Sequence, residues 1–169
     1  NNYTTTGNGG AIYTSGNLTL NAVNDAVTFS GNRIHTSSTA VNNDIYMEGT
    51  ASTPIALNLN AANTTDKTIS LGGGVDGTNY NVNVNDGTTG KVSIASLTGA
   101  GTIALKGGEL DLLSDTSATT LTASSATLKA SATNGLVVDT LTVENGKTFV
   151  NDGTLTVNTT LNNGTAGTG

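Results

Sequence analysis

The chain has 169 residues, of which 35% are hydrophobic, 11% charged and 4% aromatic, and its formal net charge is −6. This length predicts one domain, and the six Lys and Arg residues are too few and too scattered for a nucleic-acid partner or an anionic membrane surface. The absence of cysteine excludes a disulfide framework, a thiolate metal site and a cysteine nucleophile.

The first predicted elements lie in residues 8 to 32. Three short alternating apolar segments run from Ala11 to Tyr13, from Leu18 to Leu20 and from Val27 to Phe29, and each is followed by Gly, Asn or both. Alternation predicts half-buried strands, and Gly or Asn permits the positive φ of a turn. Three strands within about 25 residues are typical of one coil of a solenoid.

The next stretch, from Arg33 to Asn43, is polar and rich in Ser and Thr, so we predict a loop that protrudes from the stack. A short strand follows from Asp44 to Met47. Pro54 then introduces a strand from Ile55 to Leu59, where a proline at the strand's start removes no ladder hydrogen bond.

Short apolar segments continue at close intervals as far as Val157. Residues Tyr80 to Asn85 alternate most regularly. The stretch from Ser114 to Ala132 is rich in Ala, but its apolar residues recur close to every second position, so we predict a strand there. No signal peptide, lipidation motif or apolar run of about 18 residues occurs in the sequence.

Two all-β architectures fit this pattern. An antiparallel sandwich usually has aromatic residues in its core, whereas this chain has two Phe, four Tyr and no Trp. A stack of parallel strands needs only a narrow aliphatic interior, and the repetition of Gly16 to Asn21 as Gly153 to Asn158 favours such a stack. We therefore predict one β-solenoid segment over residues 1–169, with about seven coils of roughly 20 to 25 residues and a length of roughly 35 Å. Because the pattern is unfinished at both ends, we expect a piece of a longer exported protein.

Two tetrapeptides carry a family resemblance. Gly9-Gly10-Ala11-Ile12 and Phe29-Ser30-Gly31-Asn32 resemble the Gly-Gly-Ala-Ile and Phe-x-x-Asn repeats of the chlamydial polymorphic membrane proteins and related bacterial autotransporter adhesins. Asn43-Asp44-Ile45-Tyr46 is similar to the run that often closes such a region. The pair occurs once, in about the first fifth of the chain, and the remainder resembles a generic autotransporter passenger. The resemblance implies a right-handed parallel β-helix in an exported surface protein used for adhesion.

Catalytic and metal-binding patterns are weak. His35 is the only histidine, and nothing fixes a catalytic triad around it. Asp66, Asp76 and Asp86 would stack only if the coils had about ten residues, which would favour a polysaccharide lyase or hydrolase. Gly72 to Gly77 departs from the calcium-binding nonapeptide and is interpreted as a Gly-rich corner.

Three Thr-Leu-Thr units begin at Thr120, Thr140 and Thr154. Regular threonine ranks bind ice in some β-solenoids, but the second interval between these units is shorter than the first, which breaks the register that a flat lattice match needs. Ice binding is therefore a minor alternative.

The sequence favours a non-enzymatic segment of a bacterial surface protein, acting as a rigid stalk in adhesion or self-association. We expect no catalytic, cofactor or metal site. The expected partners are a glycan or protein on a host or neighbouring cell, or further copies of the chain, and the expected location is extracellular or on the cell surface. The candidate contact residues lie in the predicted loop and are Arg33, His35, Thr36, Asn42 and Asn43.

Overall fold

The computed structural model describes residues 2–4, 8–36 and 39–164, which contain strands and turns and no helix. No helix capable of crossing a membrane is therefore found in these ranges. The strands are β1 (Tyr3–Thr4), β2 (Ile12–Thr14), β3 (Leu18–Ala22), β4 (Val27–Phe29), β5 (Arg33–Thr36), β6 (Thr39–Asn42), β7 (Ile45–Glu48), β8 (Ile55–Ala61), β9 (Ile69–Leu71), β10 (Val75–Thr78), β11 (Tyr80–Val84), β12 (Lys91–Ile94), β13 (Ala100–Leu112), β14 (Thr116–Ala130), β15 (Leu136–Val143), β16 (Phe149–Asn151) and β17 (Leu155–Asn163).

The pairings between these strands are parallel except for β5 with β6. The longest path of neighbours is β3, β8, β11, β13, β14, β15 and β17. Parallel neighbours require a crossover between them, so the antiparallel sandwich is excluded. The prediction of an all-β chain with mostly parallel strands is confirmed.

Like residues lie above like along this path. One apolar rank consists of Leu18, Leu57, Val82, Ile103, Leu121, Leu141 and Leu161, which face the core except for Leu161, exposed on the last strand. The first step of this rank, from Leu18 to Leu57, covers more sequence than any later step because it includes the β5–β6 segment. We call each level of the stack, which is one strand of this path with its connections, a rung.

The core is a single, mostly aliphatic cluster formed by the long sheet and by the small sheet of β2, β7 and β10, whereas β1, β5 and β6 lie outside it. Alternation fixes its composition: in β8, Ile55, Leu57, Leu59 and Ala61 are buried and the residues between them are half-buried. Burying each Leu or Ile contributes about 1.5–3 kcal/mol, so a core one or two side chains wide is stabilised by its length. The buried aromatic exception is Tyr80, whose hydroxyl donates to the Thr98 carbonyl oxygen at 2.8 Å.

The Ala-rich stretch is a strand, as predicted. Strand β14 runs from Thr116 to Ala130, and its inward residues include Leu121, Ala123 and Leu128. By contrast, the predicted Gly-rich turn is shorter than expected, because Val75 already begins β10 through pairing with Ile45.

Candidate binding surfaces

The predicted contact loop is an antiparallel hairpin, so its prediction as an irregular loop is wrong. Strands β5 and β6 pair Arg33 with Asn42 and Thr36 with Thr39, and β1 adds a parallel strand to β5. His35 pairs with Ala40 in this ladder. The hydrogen bonds of the ladder satisfy the backbone polar groups that a free loop would leave to water.

The hairpin does not expose all five predicted contact residues. Arg33 and Asn42 are exposed and lie opposite each other. Asn43, in contrast, is only 3% exposed, and its Oδ1 atom is buried without a hydrogen-bond partner in the described structure. Asn43 therefore belongs to the base of the hairpin and not to its accessible surface.

A buried polar cluster fixes this base. The Asp44 carboxylate is fully buried and accepts hydrogen bonds from Asn32 Nδ2 at 2.8 Å and from the Gly73 backbone N–H at 2.6 Å. The Asp44 carbonyl oxygen also accepts from the backbone N–H groups of Ala11 and Ile12, both at 3.0 Å. Burial of a carboxylate is costly unless hydrogen bonds compensate for the lost water, and here two donors do so.

The three segments that carry the family resemblance meet at this point. Asn32 ends the Phe-Ser-Gly-Asn segment, Asp44 belongs to the Asn-Asp-Ile-Tyr segment, and Gly10 belongs to the Gly-Gly-Ala-Ile segment. A Cβ atom at Gly10 would lie 2.2 Å from the Asn43 carbonyl oxygen and 2.6 Å from the Arg33 backbone nitrogen. The glycine thus permits close backbone approach, and these motif residues have a structural role in holding the hairpin on the stack.

An aromatic pair lies next to this base. Tyr13 on β2 and Tyr46 on β7 occupy paired positions, and their rings stack with centroids 6.0 Å apart and planes inclined by 6°. Tyr13 is 51% exposed, and its hydroxyl donates to the Glu48 carboxylate. Sequence reasoning missed this surface, although the repeated Ile-Tyr pair at 12–13 and 45–46 was an available signal.

Two outward columns of the long sheet contain no charged residue. One column beside the apolar rank consists of Thr102, Thr120, Thr140 and Thr160, and the other consists of Thr19, Asn58, Asn83, Ala104, Thr122, Thr142 and Asn162. The first three residues of the second column are linked by hydrogen bonds. Asn83 Nδ2 donates to Asn58 Oδ1 at 2.8 Å, and Asn58 Nδ2 donates to Thr19 Oγ1 at 3.2 Å. The same side chains therefore stabilise the sheet and contact water on its outer side.

The threonine register differs from the sequence-based expectation. The units beginning at Thr120 and Thr140 are in register. The third unit is displaced, because Leu155 pairs with Leu136, and Thr160 instead continues the rank. The expected break in register between the second and third units is therefore present, but Thr102 and Thr160 complete a rank of four threonines that the three units did not predict.

Charged residues cluster on another part of the stack. Lys91 Nζ lies 3.1 Å from Glu109 Oε1 and 2.9 Å from Asp111 Oδ2, and Lys129 Nζ lies 3.2 Å from Glu109 Oε2. Partial burial acts to raise the pKa of Glu109, but the hydrogen bonds and charges of the two lysines outweigh it, so that this pKa is lowered. The hydrogen bond to Asp111, with that to Glu109, likewise raises the pKa of Lys91 against the opposing effect of burial.

This network has the electrostatics of structural ion pairs. A glycosidase needs one carboxyl group with a raised pKa to act as a general acid, and Glu109 shows the opposite shift. The three aspartates of the enzyme alternative do not stack either: Asp76 pairs with Tyr46, Asp86 follows β11 and binds Lys106 at 2.7 Å, and Asp66 is held locally by Asn63. Within the described residues, no group of three or more His, Cys, Asp or Glu side chains has the arrangement of a metal site.

Comparisons with protein-family models, with curated proteins and with solved structures give no match to this chain.

Proposed function

We propose that the chain is a non-enzymatic segment of a bacterial surface protein, wound as a right-handed parallel β-helix and located outside the cell. It acts as a rigid stalk that carries adhesive surfaces. The observation that carries this proposal is the unbroken path of seven parallel strands over one continuous core. In such a stack each rung is held by its neighbours through main-chain ladders, which resist bending and proteolysis.

The hairpin end is the proposed contact surface. The exposed Arg33 guanidinium offers donors in a planar fork, and Asn42 offers an amide directly opposite. Tyr13 adds an exposed aromatic ring beside the hairpin base. Exposed Tyr and Arg are the residue types that most often dominate binding energy at interfaces, and they suit a glycan or a protein on another cell.

Self-association is the second part of the proposal. Strand β17 pairs with β15 alone among the described strands, so its other edge presents unpaired backbone groups. Apolar side chains are exposed at this end, with Leu161 67% and Val150 48% exposed. An open strand edge with exposed apolar residues favours pairing with a further strand, and a second copy of the chain is a suitable donor of that strand.

A second candidate function is ice binding, which one observation favours. Thr102, Thr120, Thr140 and Thr160 form a rank with one threonine per rung, in a column that contains no charged residue. We expect thermal hysteresis in a freezing-point assay if this rank binds ice, and its loss in the Thr120→Lys variant. Activity equal to that of a non-binding control protein would exclude this candidate.

Adhesion is tested with beads coated with the purified chain and applied to cultured epithelial monolayers. We expect Arg33→Ala and Tyr13→Ala each to reduce bead retention severalfold. Lys147→Ala is the matched control, because it also removes one exposed cation but lies outside the hairpin end. Retention that is unchanged in both hairpin-end variants, or reduced as strongly by Lys147→Ala, would refute the proposed contact surface.

Electron microscopy over a concentration series separates single rods from end-to-end filaments.

A further inference from the structure

A polar groove runs along the stack, away from the hairpin. It has a volume of about 410 Å³ and is lined by Asn79, Gly99–Gly101, Ser117–Thr119, Val137, Asp139 and Asn158. These residues occupy neighbouring rungs, since Tyr80 pairs with Ala100 and Val138 pairs with both Ala118 and Val157. Five rungs at a spacing of about 4.8 Å give the groove a length of about 19 Å.

Glycines create the floor of the groove. Gly99 has φ +80°, and a Cβ atom there would lie 2.0 Å from the Gly77 carbonyl oxygen, so this position requires glycine. At Gly101, in contrast, the nearest atom to an added Cβ is the side-chain atom Asn81 Oδ1 at 3.2 Å. A side chain at position 101 therefore fits the backbone with a small adjustment and would occupy the groove.

The lining selects a class of ligand. Amides from Asn79 and Asn158 and hydroxyls from Ser117 and Thr119 are all on exposed residues, and Asp139 adds one carboxylate. Asn158 Nδ2 donates to Asp139 Oδ1 at 3.3 Å, which orients the carboxylate at one end of the groove. The lining contains no Lys, Arg or aromatic residue, and the chain carries a net charge of −6. A polyanion or an aromatic ligand is thus disfavoured, whereas mixed donors and acceptors match the hydroxyl groups of a neutral sugar.

We propose that this groove binds a linear, neutral polysaccharide chain that lies along the stack axis across about five rungs. The inference deepens the proposed adhesive function and rests on it, but it assigns the glycan to a surface separate from the hairpin end. Four of the five rungs contribute one or two hydrogen-bonding side chains, and the glycine rung between them leaves room for the ligand, so affinity rises with the number of sugar units that the ligand presents. Binding of this kind involves no bond cleavage.

The test is affinity electrophoresis of the purified chain in native gels that contain hydroxyethyl cellulose, galactomannan, laminarin or, as a polyanionic probe, alginate. We expect at least one neutral polysaccharide to retard the chain and alginate to have no such effect. Gly101→Phe fills the groove and should abolish the retardation. Ala104→Phe is the matched control, because it adds the same ring to the outward side of the same strand, at a half-buried position outside the groove lining.

A second variant guards against a folding defect in Gly101→Phe. The exposed pair Thr119→Ala with Asp139→Ala removes two hydrogen-bonding groups without adding bulk, and we expect affinity to fall about tenfold. The inference is overturned if both groove variants are retarded like the wild type, or if no neutral polysaccharide retards the wild type. If bead adhesion through Arg33 persists in that case, the proposed function stands and only the groove assignment fails. If instead the retardation depends on Gly101 but no beads adhere, the groove assignment stands and the proposed adhesive function fails.

Discussion

Replacing Asp44 by Ala removes the acceptor at the centre of the hairpin base. The two donors left behind, Asn32 Nδ2 and the Gly73 N–H, are both in a buried site. Each buried unsatisfied donor costs about 1–3 kcal/mol, so the free energy of unfolding should fall by about 2–6 kcal/mol. That is a large part of the roughly 5–15 kcal/mol typical of a folded domain. The effect should be centred on the hairpin and on β2, whose backbone N–H groups bind the Asp44 carbonyl oxygen.

Urea unfolding followed by circular dichroism measures this loss, with exposed Asp25→Ala as the matched control. We expect Asp25→Ala to change the free energy of unfolding by less than about 0.5 kcal/mol. A double-mutant cycle with Asn32→Ala isolates the interaction between Asp44 and Asn32. The loss of unfolding free energy in the double variant should be smaller than the sum of the losses in the two single variants, because both substitutions remove the same hydrogen bond. An Asp44→Ala variant as stable as Asp25→Ala would refute the reasoning that this cluster fixes the hairpin.

Three further predictions concern the stack itself. Gly99→Ala should destabilise the chain by several kcal/mol more than Gly87→Ala. Both positions have φ +80°, but an added Cβ meets the Gly77 carbonyl oxygen at position 99 and no atom within 4 Å at position 87. Equal losses of stability in thermal unfolding would contradict the close contact at Gly99. The pKa of Glu109 is lowered from its usual 4.5, so its stabilising contribution is present above pH 4.5 and is lost as pH falls through the lowered value; wild type and Glu109→Gln should then converge in stability in acid, and a constant difference would count against the ion pairs. Tyr80→Phe should cost about 1 kcal/mol through loss of the Thr98 hydrogen bond. Burial, with a smaller effect of Asp76, raises the pKa of Tyr80 above its usual 10, so Tyr80→Phe should leave the ultraviolet titration of the folded chain near pH 10 unchanged; loss of one ionising phenol near pH 10 in that variant would disprove the burial of Tyr80.

Local pattern was sufficient for most strands. Alternation at Tyr80 to Asn85 and at Ser114 to Ala132 predicted β11 and β14, because one side of each strand faces the core and the other faces solvent. The scarcity of aromatic residues favoured parallel stacking, because a narrow core has little room for aromatic rings.

Tertiary contacts were not predictable in this way. Strands β5 and β6 have little apolar alternation. Their pairing depends on a base in which Asp44 binds Asn32 and Gly73, and both partners are far from Asp44 in the sequence. The rank of four threonines was not predicted, because the threonine that follows Thr140 in space is Thr160, which lies outside the third Thr-Leu-Thr unit. The groove combines residues from 79 to 158 and has no local signature.

The central claim is that the chain is a rigid stack of parallel rungs, and distances between spin labels test it most directly. The chain has no cysteine, so labels attach only where a cysteine is introduced. Thr19, Thr122 and Asn162 lie in one outward column, with Thr122 four rungs and Asn162 six rungs from Thr19. Pulsed electron–electron double resonance should give narrow backbone separations of about 19 Å for Thr19 to Thr122 and about 29 Å for Thr19 to Asn162. Broad distributions, or a separation that does not increase from the first pair to the second, would contradict the stack.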